Sequence, residues 1–177
     1  MGYISALKLI LSDFKAYQRE HNGNKLKKTI RVLFFERGFI YSFWLRLAHV
    51  NSILLPLVYI PYRFFSALYN IQIPRRLTIG PSFVLCHGTC VVINGSAKIS
   101  RGVQICHFVT IGNNSGVAPL IEDNVYIAPA AQIIGDITIG HDSLIGCGAV
   151  VVKDVPPYAV VAGVPAKIIK FKKNKIK

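Results

Sequence analysis

The chain has 177 residues, 52% of them hydrophobic, and sets 21 Lys and Arg against eight Asp and Glu, for a formal charge of +13. That length excludes a large multidomain protein and fits one domain, or a small domain with an appendage. The charge calls for an anionic partner, but no recognition-helix or single-strand motif accompanies it, so nucleic acid is set aside and a membrane surface or a phosphorylated cofactor remains.

Apolar residues Ile4, Leu7, Leu11 and Phe14 recur at helical spacing, so an amphipathic helix is predicted up to Tyr17. His21 to Asn24 breaks it with turn chemistry. A second helical pattern runs from Ile30 through Leu33, Phe34, Tyr41 and Trp44 to Ala48, weakened at Gly38. The segment from Ser52 to Tyr69 is the most apolar, but Pro56, Pro61 and Arg63 argue against a membrane span, which needs about 20 mostly apolar residues. We expect it to cap the next domain, with an interfacial contact as the alternative. The composition then shifts at Ile71 to Ile73.

From Ile73 apolar residues return every six positions. Hexads open at Ile73, Ile79 and Leu85, then at Ile93, Ile99, Ile105 and Ile111, then at Ile121, Ile127, Ile133, Ile139, Ile145 and Val151. Val91 and Val92 separate the first two blocks, and Val117 to Leu120 the last two. The fifth position is small or apolar in the later hexads, as at Ala97, Val103, Val109, Ser115, Val125, Ala131, Ile137, Ser143 and Ala149. Neither a helix nor a flat strand has this period, whereas a coil of short parallel strands does, with the first residue pointing to the axis and the fifth turning a corner. The predicted fold is therefore an all-β parallel β-helix of about four coils behind an α-helical N-terminal region. We place that region at 1–71, the β-helix at 72–163 and a basic, solvated tail at 164–177, with Pro156 and Pro157 ending the last coil.

Three hexads make one coil, so with the two extra residues treated as a bulge Leu85 stacks on Ile105, Cys86 on Cys106 and His87 on His107. An imidazole can take a proton from a hydroxyl and return it near neutral pH, which makes the stacked pair the leading catalytic candidate. The tetrad of Cys86, His87, Cys106 and His107 also has the ligand types of zinc. We expect no metal, because no C-x-x-C spacing occurs and buried thiols serve as small hydrophobes. Without a signal peptide, Cys86, Cys90, Cys106 and Cys147 are read as reduced thiols in a cytoplasmic protein. No Asp or Glu lies between Glu36 and Glu122, so a partner for His87 must be a backbone carbonyl, Gln72, Glu122, Asp123 or another subunit.

The passages LCHGTCVVIN, CHFVTIGN, IAPAAQIIGDITIG and IGCGAVVVKDVPPYAVVAGVPAKIIK, with a helical segment ending WLRLAHV, resemble the left-handed β-helix hexapeptide-repeat acyltransferases, in their serine acetyltransferase-like branch. The resemblance implies an acetyl-CoA-dependent O-acetyltransferase, a homotrimer with active sites between subunits. It implies His87 as general base, Lys153 and Lys167 at the CoA phosphates, and Ala128, Pro129, Gly146, Cys147 and Ala149 along the pantetheine arm. Two positions depart from the serine enzymes: Gln72 stands for an Asp and Ala118 for a second His. His107 instead resembles the second histidine of colanic-acid and capsule acetyltransferases. On that resemblance the expected acceptor is a sugar hydroxyl of a surface polysaccharide or its lipid-linked precursor, with contact at the inner-membrane face. Serine O-acetylation and a non-catalytic scaffold are the alternatives.

Overall fold

A computed structural model of the chain describes residues 2–50, 53–114 and 116–172. Ser115, Ser52 and the last lysines of the tail lie outside them. Four helices lead: α1 (Tyr3–Arg19), α2 (Lys25–Phe34), α3 (Arg37–Ala48) and α4 (Leu55–Tyr69). Asn24 caps α2 by accepting the Lys27 N–H at 2.9 Å. The pattern expected as one helix from Ile30 to Ala48 is two, interrupted at Phe35 and Glu36. Just inside α3, Gly38 makes a close approach in which a Cβ would stand 2.0 Å from the Leu85 carbonyl oxygen. No helix among the described residues is long and apolar enough to cross a membrane. α2 buries only Val32 and turns Leu26, Ile30, Leu33 and Phe34 outward beside Lys25, Lys27, Lys28 and Arg31.

The repeat winds as a three-sided parallel β-helix. Its first coil is β1 (Ile71–Gln72), β2 (Thr78–Ile79) and β3 (Val84–Leu85), and its second β4 (Val91–Ile93), β5 (Lys98–Ile99) and β6 (Gln104–Ile105). The third is β7 (Thr110–Gly112), β8 (Leu120–Ile121) and β9 (Tyr126–Ile127), and the fourth β10 (Gln132–Ile134), β11 (Thr138–Ile139) and β12 (Leu144–Ile145). A partial fifth follows with β13 (Val150–Val151) and β14 (Ala159–Ala162), and β15 (Lys167–Phe171) turns back antiparallel on β14. The three faces are β1-β4-β7-β10-β13, β2-β5-β8-β11 and β3-β6-β9-β12-β14-β15. Residues that open hexads fill the axis: Ile93, Ile99, Ile105, Ile111, Ile121, Ile127, Ile133, Ile139 and Ile145 are all at most 2% exposed. Each such burial contributes roughly 1.5–3 kcal/mol.

Register follows the sequence reading, with Leu85 paired to Ile105 and Ile93 to Ile111. The first bulge lies elsewhere. Val91 and Val92 belong to β4, and Val91 is fully buried, so the surplus residues sit in the loop Cys86–Cys90. There His87, Gly88 and Cys90 take left-handed backbone, with φ of 64°, 40° and 50°. The tail expected from residue 164 is likewise ordered through β15, whose pairing covers the free edge of β14.

The helices close the opposite end by satisfying the first coil's unpaired backbone groups. Tyr41 and Tyr62 donate to the Ile73 carbonyl at 3.3 and 2.6 Å, and Ser66 donates to that of Ile71. Arg46 donates to the carbonyls of Ile79 and Gly80 at 2.7 and 2.6 Å. Asp13 accepts the Phe83 N–H at 2.9 Å, while the Tyr17 hydroxyl accepts the Leu85 N–H at 2.8 Å and donates to the Leu85 carbonyl at 3.2 Å. Each face of the prism thus has its own polar cap.

Candidate active site

The corner leading from the β3 face to the β1 face repeats at every coil. His107, Pro129 and Cys147 stand in one file along it, held by the ladder bonds Ala130 N–H to His107 O (3.0 Å) and Gly148 N–H to Pro129 O (2.9 Å); one rung above, Phe108 N–H reaches Thr89 O (3.4 Å), and His87 sits on the loop just before it. The adjoining β3 face stacks Leu85, Ile105, Ile127, Ile145 and Val161, four strand spacings or about 19 Å from end to end. Phe108, Ala130 and Gly148 turn the corner with φ near 60°. His87 is exposed and His107 half-buried, and their rings meet edge to face with centroids 5.3 Å apart. The Nδ1 of His107 is buried without a hydrogen-bond partner among the described residues.

Behind the imidazoles Cys86 and Cys106 face each other, and the Cys106 sulfur lies 3.2 Å from the Tyr126 hydroxyl. A hydrogen bond from Cys86 pulls the Cys106 thiol down to about 6, against the effect of burial, and the same contact pushes Cys86 up. Among the described residues no group of three or more His, Cys, Asp and Glu has metal-holding geometry.

A pocket of about 470 Å³ opens beside both imidazoles, lined by Phe35, Glu36, Arg37, His87, Thr89 and His107. The first three come from the helical region and escape the sequence reading. Glu36 supplies a carboxylate that the first two coils of the repeat lack. The only local hint is the glycine after Arg37. A Cβ on Gly88 would stand 2.3 Å from the Gly38 nitrogen, so the two glycines let the α3 N-terminus and the His87 loop touch backbone to backbone.

Gln72 stands apart. It is exposed on β1 and lines a different groove, of about 830 Å³, with Tyr62, Arg63, Arg75 and Asn94. No hydrogen bond joins it to His87 among the described residues. The candidate cofactor residues divide into two groups. Pro129, Gly146 and Cys147 are accessible on the corner, whereas Ala128 and Ala149 are 5% and 0% exposed. Ala149 also spends its N–H on Gly146 and its carbonyl on Gln132, so it backs the corner rather than facing a ligand. Lys153 and Lys167 share a pocket of about 170 Å³ at the C-terminal end, close to where Gly163 O accepts the Val150 N–H. Small residues along the corner and paired cations at its end fit the pantetheine arm and phosphates of CoA.

Residues 118–153 match the family described as bacterial transferase hexapeptide (six repeats). The chain is 40% identical over 114 residues to a serine acetyltransferase of Buchnera aphidicola, covering 62% of this chain and 44% of the relative. It is 42% identical over 110 residues to that of Mycobacterium tuberculosis, covering 60% and 48%. Among solved structures, soybean serine acetyltransferase superposes with a TM-score of 0.78 at 30% identity over 94% of this chain and 69% of that one. The Brucella abortus serine acetyltransferase in complex with coenzyme A does so with a TM-score of 0.84 at 27% identity, over 97% and 70%. The chain belongs to the hexapeptide-repeat transferases, and its coil is the left-handed parallel β-helix of that repeat. It spans less than half the length of the curated relatives named here.

These comparisons overturn the expected sugar acceptor, since relatives at 35–42% identity are serine acetyltransferases. The physical reason lies in what the two guiding residues do. His107 stands under His87 because one coil, three hexads and two surplus loop residues, separates them, whatever the acceptor. Gln72 faces another groove and makes no contact with His87 from which an acceptor could be read. With the sugar go the assignments to polysaccharide and capsule synthesis.

Proposed function

We propose that the chain is an acetyl-CoA-dependent O-acetyltransferase acting on the hydroxyl of serine, with His87 as general base. One observation carries the reading: both imidazoles stand at the N-terminal end of one corner of the coil, and its small-residue rungs Pro129 and Cys147 lead toward the end that carries the two-lysine pocket. The names of the relatives supply the acceptor. Lys153 and Lys167 meet the CoA phosphates, and the pantetheine arm passes Cys147, Gly146 and Pro129, with Ala128 and Ala149 behind them. His87 takes the serine hydroxyl proton as that oxygen attacks the thioester carbonyl carbon. The carbon–sulfur bond then breaks, and the proton passes from His87 to the departing thiolate, which leaves the imidazole neutral. His107 places the acceptor or shares the proton.

The same reading takes 72–163 as the acyltransferase unit, 1–71 as its helical region and 164–177 as a basic extension. It makes the working unit a homotrimer, in which the exposed His87 meets a neighbouring β-helix and Gln72 acts, if at all, across that contact. A cytoplasmic location is part of it. The outward apolar stripe of α2 with its four cations favours a peripheral contact with an anionic inner-membrane surface.

Release of free CoA from acetyl-CoA and L-serine tests the reading. Wild type should turn over, and His87→Ala should lose at least about 100-fold, the usual share of a positioned base. Equal rates would remove His87 from the mechanism. CoA binding without turnover in wild type would mean a non-catalytic scaffold.

A further inference from the structure

The helical region contributes charge of both signs to the pocket beside His87. Glu36 is half-buried; its Oε1 accepts from Arg31 Nε (3.3 Å) and lies 2.9 Å from His21 Nε2. Its other oxygen, Oε2, has no partner among the described residues. Arg37, the next residue, is exposed and makes no ion pair or side-chain hydrogen bond among them. Both line the pocket with the two imidazoles, and the contact of Gly38 with Gly88 and Leu85 fixes their backbone there. Among the described residues Glu36 is the only carboxylate lining this pocket.

An uncharged acceptor would leave Glu36 Oε2 and Arg37 without a task. An α-amino acid carries an ammonium and a carboxylate on one carbon, so adjacent residues of opposite charge can hold both, and the side chain is left to point elsewhere. Resting on the serine reading, we propose that Glu36 and Arg37 are the specificity-determining clamp for the acceptor. Glu36 Oε2 receives the α-ammonium, Arg37 receives the α-carboxylate, and the hydroxyl is turned toward His87. Charge-assisted bonds of this kind are the strong ones, and the guanidinium fork suits a carboxylate.

Steady-state rates with L-serine, L-serinamide and 3-hydroxypropionate, for wild type, Arg37→Gln and Glu36→Gln, decide the matter. Arg37→Gln should raise the KM for serine by roughly tenfold or more, the weight of one charge-assisted contact, and leave serinamide within about twofold. Glu36→Gln should do the same for serine and spare 3-hydroxypropionate, which has no ammonium. Arg37→Lys should restore part of the serine KM. Melting curves of the Arg37 variants should match wild type, and Glu36→Gln, which loses its pairing with Arg31, should melt only slightly lower. Equal losses on all three acceptors, or none, would overturn the clamp while serine turnover by wild type keeps the parent reading. No wild-type turnover with serine would remove both.

Discussion

Asp13 and Arg46 make the most demanding contact in the molecule. Both are nearly inaccessible, and the guanidinium meets the carboxylate through Nε at 2.9 Å and Nη2 at 3.2 Å while also serving two backbone carbonyls. Burial raises the Asp13 carboxyl above 3.8 despite the arginine. A folded-state value above the unfolded one means that the folded chain holds this proton more tightly. Stability from this group therefore rises, rather than falls, as pH drops through the folded value toward 3.8. Asp13 is no trigger of acid unfolding. Removing it is another matter: Asp13→Ala leaves a buried guanidinium unpaired and the Phe83 N–H without an acceptor. Urea unfolding should report a loss of about 3–5 kcal/mol.

At the scale of elements, Gly38 joins α3 to the His87 loop. Gly38→Ala adds a methyl where the Leu85 carbonyl and the Tyr17 hydroxyl already stand, so the helix must back away. Overpacking of this kind costs typically 1–3 kcal/mol. The variant should melt lower and lose serine affinity more than CoA affinity, because the helix carries Glu36 and Arg37 while the corner stays intact. The same junction marks the limit of what the sequence discloses. Ile121, Ile127, Ile133, Ile139 and Ile145 repeat at a fixed period of six, so the coil is legible from the spacing of residues alone, and the stacking of His87 on His107 follows once two surplus residues are allowed for. Phe35, Glu36 and Arg37 reach the pocket through one contact between two glycines far apart in the chain, and such a contact leaves no periodic trace. The loop Cys86–Cys90 conceals its surplus residues for a related reason. Val91 and Val92 are strand-forming residues, yet the first stretch of LCHGTCVV is equally able to complete a hexad. β15 is obscured by its lysines, which suit a solvated tail as well as an exposed edge strand.

For the whole molecule, charge and length act together. The formal +13 is spread widely, but Lys153 and Lys167 converge on one pocket at the far end of the corner. Changing both to Gln should weaken CoA binding several-fold in calorimetry. Dephospho-CoA should suffer less, and added salt should narrow the difference between the proteins, since exposed charges are screened beyond about 10 Å at 0.1 M.

The single file of corner residues has a consequence for how such a protein can change. Each coil adds one strand spacing, about 4.8 Å, and no fraction of one. The span between the imidazoles and the lysines is thus a ruler with fixed graduations. Evolution can lengthen or shorten it only by whole turns, and any finer adjustment to a carrier of different length must come from loops such as Cys86–Cys90, where the chain escapes the period.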